Sequence, residues 1–157
     1  MILGGVKLEM PGGSTTTFTD LLLDYTGTLS LDGVLLPGVA ERLVAIAARM
    51  RITVLTADTF GTAEAQLKGL PVEVSVLQTG RHKAEAVRRM PYEEVIAIGN
   101  GRNDVAVMEL AGLAIAVIGP EGASGELLRA ADIVVSDIGD ALDLLTHPLR
   151  LKATLRD

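Results

Sequence analysis

Four short apolar runs, at residues 21–23, 52–55, 95–98 and 114–118, constrain this chain more than any other feature. Each is too short for an ordinary helix, and each is followed by a stretch that reads as helical. In 37–50 the apolar residues Val39, Leu43, Ile46, Ala47 and Met50 recur at helical spacing, and Pro37 suits a first helical position. Segments 62–68, 81–90, 103–111 and 124–131 read as further helices, the first three closed by Gly69 and Pro71, by Pro91 and by Gly112. Ile138, Ala141, Leu142 and Leu145 fall at i, i+3, i+4 and i+7 of a last helix. Unbroken apolar strands alternating with helices mean a parallel sheet covered on both faces. The predicted fold class is therefore α/β, a doubly wound, three-layer α/β/α, Rossmann-like arrangement in one domain over 1–157. The four runs belong at its centre. Val72, Val74 and Val76 alternate with Glu73 and Ser75, which places that strand toward an edge. Residues 133–135 add a short strand and 1–9 offer another. Residues 12–19 read as a polar turn, and 147–157 as a solvated or wrapping C-terminal tail.

Composition removes several function classes. With 14 Lys+Arg against 20 Asp+Glu the net charge is −6, which disfavours nucleic acid and anionic membranes as partners. The absence of Cys excludes disulfide frameworks, Cys-bound zinc and thiol catalysis, and two His make a His-based metal site improbable. Trp is absent and aromatics are 3%, too few for a base-stacking platform. The most apolar stretch, 110–118, is far short of a span of about 20 residues, and Lys7 and Glu9 interrupt any targeting signal at the start. The expectation is a cytoplasmic protein without membrane insertion.

In doubly wound sheets, reactive groups gather at the carboxyl ends of the strands. Those ends read Asp24-Tyr25-Thr26-Gly27-Thr28, Thr56-Ala57-Asp58 and Gly99-Asn100-Gly101-Arg102-Asn103-Asp104, and the helix after the third strand opens with Gly80-Arg81-His82-Lys83. This set suits phosphoryl transfer. A carboxylate can attack phosphorus to give an acyl phosphate, whose oxygens then need donors and positive charge. Thr56 offers a hydroxyl, Lys83 a point charge, and the turn at 25–28 backbone N–H groups, with Gly27 allowing close approach. Carboxylates at Asp24 and Asp104 would repel a phosphate unless a hard cation such as Mg²⁺ lay between them. Asp58 and His82 read as mainly structural.

These motifs resemble the haloacid dehalogenase-like superfamily, and within it the phosphorylation domain of P-type cation-transporting ATPases and their small soluble relatives. Asp24-Tyr25-Thr26-Gly27-Thr28-Leu29 is similar to D-K-T-G-T-L, Thr56-Ala57-Asp58 to T-G-D, and Gly99–Asp104 to G-D-G-x-N-D; Lys83 falls where the family's third-motif lysine is expected. The resemblance spans roughly 19–146. It implies a catalytic set of Asp24 (the nucleophile), Thr56 and Lys83. The phosphate-binding set is Tyr25, Thr26, Thr56, Ala57 and Lys83. Asp24, the Thr26 carbonyl, Asn100 and Asp104 would hold Mg²⁺, with Gly27 and Asn103 in support. The activity implied is a Mg²⁺-dependent phosphatase acting on a small phosphorylated substrate or a phosphoprotein.

Two departures temper that implication. Phosphatases of the superfamily usually carry a second Asp two positions after the nucleophile, as general acid and base, and here the residue is Thr26. A positioned proton donor contributes about 10²–10⁴ in rate, so turnover is expected to be slow. The ATPase motif has Asp where this chain has Asn100, whose neutral oxygen should weaken the cation's hold. The interval between Asp24 and Thr56 holds a short hairpin at 29–36 and one helix, which leaves no room for a nucleotide-binding domain. No cap domain fits between Val72 and Lys83 either. The site should be lidless unless a neighbouring subunit covers it, so self-association is a further expectation. The alternative is a weakly catalytic or non-catalytic regulatory module that binds phosphate or Mg²⁺. A receiver domain shares the Asp/Thr/Lys set, but its phosphorylated Asp comes from a middle strand after an early acidic pair, whereas Asp24 ends the first core strand.

Overall fold

The computed structural model describes residues 3–156. Ten strands and seven α-helices are found among them. The chain enters through a hairpin, β1 (Val6–Glu9) and β2 (Thr15–Phe18), and then β3 (Asp20–Leu23) begins the main sheet. A second small hairpin, β4 (Ser30–Leu31) and β5 (Val34–Leu35), is followed by α1 (Val39–Ala47), β6 (Arg51–Thr56), α2 (Ala63–Leu67), β7 (Glu73–Val76) and α3 (Gly80–Arg88). The second half runs β8 (Val95–Gly99), α4 (Val105–Leu110), β9 (Leu113–Val117), α5 (Gly125–Ala130), β10 (Ile133–Val135), α6 (Ile138–Thr146) and α7 (Pro148–Leu155).

The six strands of the main sheet are all parallel, in the order β10-β9-β8-β3-β6-β7. The chain starts in the middle, steps outward through β6 to β7, and returns to the other side of β3 to continue through β8, β9 and β10. The connections therefore diverge between β3 and β8, and a crevice opens at their carboxyl ends. The four apolar runs are β3, β6, β8 and β9, all interior to the sheet, and the alternating strand is β7, at the edge.

Period-two alternation splits the core into two layers. Leu21, Leu23, Ile52, Val54, Ile96 and Ile98 face α1, α2 and α6. Leu22, Leu55, Ala97, Ala114 and Ala116 face α3, α4 and α5. The small residues on the second face let α4 and α5 approach the sheet closely. No helix of the described residues is long and apolar enough to cross a membrane.

Three local expectations need correction. Residues 12–19 are not all turn: Thr15–Phe18 forms β2, paired antiparallel with β1 from Val6↔Phe18 to Glu9↔Thr15. Thr is polar yet β-branched, so a Thr run suits a strand. The helix expected over 103–111 begins at Val105, after a 3₁₀ turn at Arg102–Asp104. The 147–157 tail is largely helix: α7 starts at Pro148, buries Leu151 and pairs Lys152 with Glu9 at 3.2 Å. It wraps onto β1, one of the two forms expected of the tail, so its helical structure alone departs from the expectation. Of the strand expected over 1–9, Val6–Glu9 is formed; Met1, Ile2 and Asp157 lie outside the described residues.

Candidate active site

Each strand end delivers one part of the site. Asp24 follows β3 directly, and its backbone N–H donates to Ile98 O of β8 at 3.0 Å, which fixes it at the crevice. The next four residues turn sharply. The Tyr25 carbonyl accepts from the N–H groups of Thr28 and Leu29, at 3.2 and 2.9 Å, and from Ser30 Oγ at 3.0 Å. Gly27 sits at φ 75°, where a side chain would collide with the Asn100 amide. The Tyr25 ring points away from the crevice, and its hydroxyl donates to Gly33 O at 2.8 Å, anchoring the β4–β5 hairpin. Only its backbone can serve a phosphate. Asp32 and Gly33, at φ 51° and 83°, make the two-residue turn of that hairpin.

Thr56 ends β6, fully buried, with Oγ1 accepting from the Asp58 N–H at 2.9 Å. Asp58 is structural in this geometry: its Oδ1 accepts from the N–H groups of Thr62 and Ala63, each at 3.0 Å, and so caps α2. His82 is exposed, and its N–H is capped by Thr79 Oγ1 at the start of α3. The first turn of that helix aims Lys83 inward, where Nζ lies 3.0 Å from Asp24 Oδ1 and 2.9 Å from Asp104 Oδ1. Asp104 Oδ2 accepts from the Gly101 N–H at 3.1 Å. A side chain at Gly99 would reach 2.6 Å from the same oxygen, so a glycine is required there.

Asn100 has both ends of its amide engaged. Its Oδ1 accepts from Thr28 Oγ1 at 3.1 Å and its Nδ2 donates to Gly122 O at 2.9 Å. The single Thr28 hydroxyl proton is shared between Asn100 and Asp24 Oδ2, which is 3.3 Å away. Thr26 Oγ1 is buried with no hydrogen-bond partner.

Asp24, Thr26, Thr56, Ala57, Asn100 and Asn103 all line one open cavity of about 210 Å³. Lys83 and Asp104 lie beneath it, behind Asp24. The structure thus gathers every residue of the expected catalytic and metal sets at one crevice. Thr59 and Glu121 also line the cavity and were missed by the sequence reading. The signal for Glu121 was present, because Gly119-Pro120-Glu121-Gly122 follows β9 and so occupies another strand's carboxyl end. A larger cavity of about 810 Å³ lies at the opposite end, lined by Met50, Arg51, Val72 and Arg89 among others, and holds none of the expected residues.

Two buried carboxylates share one ammonium, so one negative charge is left uncompensated. Burial pushes the Asp24 carboxyl up to about 7, Asp104 adds to the rise, and Lys83 and the Tyr25 N–H only partly oppose it. Burial works against the charge on Lys83 too, but the two carboxylates more than offset it and its pKa is raised. A divalent cation would relieve this imbalance. The available donors are all oxygens, which suits a hard ion such as Mg²⁺. Among the described residues no group of three His, Cys, Asp or Glu side chains forms a metal cluster, so backbone carbonyl, amide or water oxygens would complete the shell.

Comparison with known proteins bears on the family and the fold. A family model described as haloacid dehalogenase-like hydrolase matches residues 68–140, the part that holds Lys83 and Asp104. An uncharacterised protein of Methanocaldococcus jannaschii is 52% identical over 73 residues, covering 46% of this chain and 78% of that protein. Among solved structures, the Moraxella catarrhalis 3-deoxy-D-manno-octulosonate 8-phosphate phosphatase, in complex with magnesium, phosphate and its sugar, superimposes with a TM-score of 0.69 at 14% identity. That match covers 83% of this chain and 86% of the phosphatase. The catalytic domain of the CPx-ATPase CopB-B superimposes at 0.59 with 27% identity, covering 71% of this chain and 46% of that one.

Proposed function

The chain belongs to the haloacid dehalogenase-like hydrolases, and on that premise we propose that it is a Mg²⁺-dependent phosphatase working through an aspartyl phosphate on Asp24. The observation that carries this reading is the Lys83 ammonium, buried and placed 3.0 and 2.9 Å from Asp24 and Asp104 at the sheet's divergence point. A buried ion triad of this kind costs desolvation energy that apolar packing would avoid. Its position at the crevice gives it a use.

In this reading the Asp24 carboxylate attacks phosphorus, and the bond to the leaving oxygen breaks. The Thr56 hydroxyl and the N–H groups of Tyr25, Thr26, Gly27 and Ala57 hold the phosphoryl oxygens, and Lys83, behind Asp24, adds positive charge from below. Asp24, the Thr26 carbonyl and Asp104 would hold Mg²⁺, with the Asn100 oxygen beside them. Bound there, Mg²⁺ supplies positive charge to the phosphoryl oxygens. Lys83 keeps Asp24 and Asp104 oriented and is itself held cationic by them. The substrate is a small phosphate monoester or a phosphoprotein, because the cavity is open and only about 210 Å³ and no cap covers it among the described residues.

A non-catalytic module that binds phosphate or Mg²⁺ is the second reading, favoured by Thr26, which leaves the usual proton donor missing. Hydrolysis of a chromogenic aryl phosphate across Mg²⁺ concentrations, with wild type and Asp24→Asn side by side, separates the two. The phosphatase reading expects Mg²⁺-dependent turnover that Asp24→Asn abolishes. Equal residual rates in both proteins favour the binding module.

A further inference from the structure

A phosphatase without a carboxyl at position 26 needs its proton from elsewhere. Among the described residues, Glu121 is the one acidic side chain other than Asp24 that lines the cavity. Its loop is pinned by Asn100 Nδ2 donating to Gly122 O at 2.9 Å, by the Ser124 N–H donating to Asn100 O at 2.8 Å, and by the Gly119 N–H donating to Ser136 O at 3.0 Å. The missing side chain of Gly27 is what lets this loop press against the turn carrying Thr26: a Cβ there would stand 3.3 Å from Glu121 Cβ. Glu121 Oε2 accepts from the Asp32 N–H at the hairpin tip, at 3.1 Å. One carboxyl oxygen is thus tied to the hairpin, and the other makes no hydrogen bond among the described residues.

We propose that Glu121 is the general acid and base of this site, acting from the loop after β9 in place of a carboxyl at position 26. The inference rests on the phosphatase reading and deepens it. In the first step Asp24 forms its bond to phosphorus, the bond to the ester oxygen breaks, and the Glu121 carboxyl gives that oxygen its proton. In the second step the Glu121 carboxylate takes a proton from water as the water oxygen bonds to phosphorus. The bond between Asp24 and phosphorus then breaks, inorganic phosphate leaves, and Glu121 is again protonated.

The test compares wild type, Glu121→Gln, Glu121→Ala and Asp24→Asn on phosphate esters graded from p-nitrophenyl through phenyl to alkyl, read as kcat/KM with Mg²⁺ present. Glu121→Gln keeps an oxygen for the Asp32 N–H and removes only the acidic proton. It is expected to lose about 10²-fold or more on phenyl and alkyl esters, and little on p-nitrophenyl phosphate, whose leaving group departs unassisted. A burst of nitrophenol should appear as hydrolysis of the phosphoenzyme slows. Wild-type rates in Glu121→Gln with losses only in Glu121→Ala would make Glu121 a hairpin tie and overturn the proposal. So would equal losses on every ester. Failure of the phosphatase reading looks different: wild-type hydrolysis that is absent, or that Asp24→Asn leaves intact, removes both.

Discussion

Two carboxylates around one buried ammonium set the energetics of single residues here, and Asp24 bears most of the cost. Its folded-state value of about 7 lies above the 3.8 of an unperturbed Asp. Between those values the folded chain binds its proton more tightly than the unfolded chain, so stability falls as pH rises through that window. Above it the full deficit remains. Asn at position 24 has no proton to lose. Asp24→Asn should therefore gain Tm over wild type as pH rises from about 4 to 7, in chelator and without Mg²⁺, and hold a constant advantage above that. Thermal unfolding at a series of pH values checks this, and a difference independent of pH would contradict it. Stability gained by removing a buried, undercompensated carboxylate is the usual trade between function and fold. The convergence of Asp24, Thr56, Lys83 and Asp104 was legible in the sequence because each stands at a fixed place relative to an apolar run. The engagement of Asn100 was not, since its partner Gly122 is on a loop that only folding brings near.

At the level of elements, legibility followed burial on two faces. The interior strands β3, β8 and β9 are apolar at nearly every position, and α1 and α6 have strong helical periodicity, so all could be read. β2 and α7 could not. β2 is paired on one side only, in a hairpin with β1, and Thr15, Thr16 and Thr17 carry no apolar signal. α7 is short, and Leu151 is its one fully buried position. That position nonetheless anchors the helix, packed with Val6, Leu8 and the rest of the core around α1 and α6. Leu151→Ala is expected to cost about 2–5 kcal/mol in urea unfolding, with the site's activity per folded molecule unchanged. A loss under 1 kcal/mol, well short of that range, would mean that α7 is dispensable to the fold.

For the whole molecule, the strand order places the first core strand at the centre, and that single fact brings Asp24 beside the Gly99–Asp104 loop. The parallel, doubly wound character was legible because covered parallel strands must be apolar on both faces. The short connections were legible too: three residues separate β7 from α3, and the β4–β5 hairpin with α1 fills the span from β3 to β6, so among the described residues no cap-sized insertion stands at either place. In the proposed phosphatase, an open site would let bulk water reach the phosphoryl group, which weakens electrostatic stabilisation. The same openness should let a chemical trap reach the intermediate.

The central claim is a covalent phosphate on Asp24. Wild type mixed with an aryl phosphate and Mg²⁺, quenched with borohydride and digested, reports it directly by mass spectrometry. Borohydride reduces an acyl phosphate to an alcohol, so the account predicts homoserine in place of Asp24, dependent on both substrate and Mg²⁺. Turnover with Asp24 unmodified, or with the reduced residue at any other carboxylate, would contradict it.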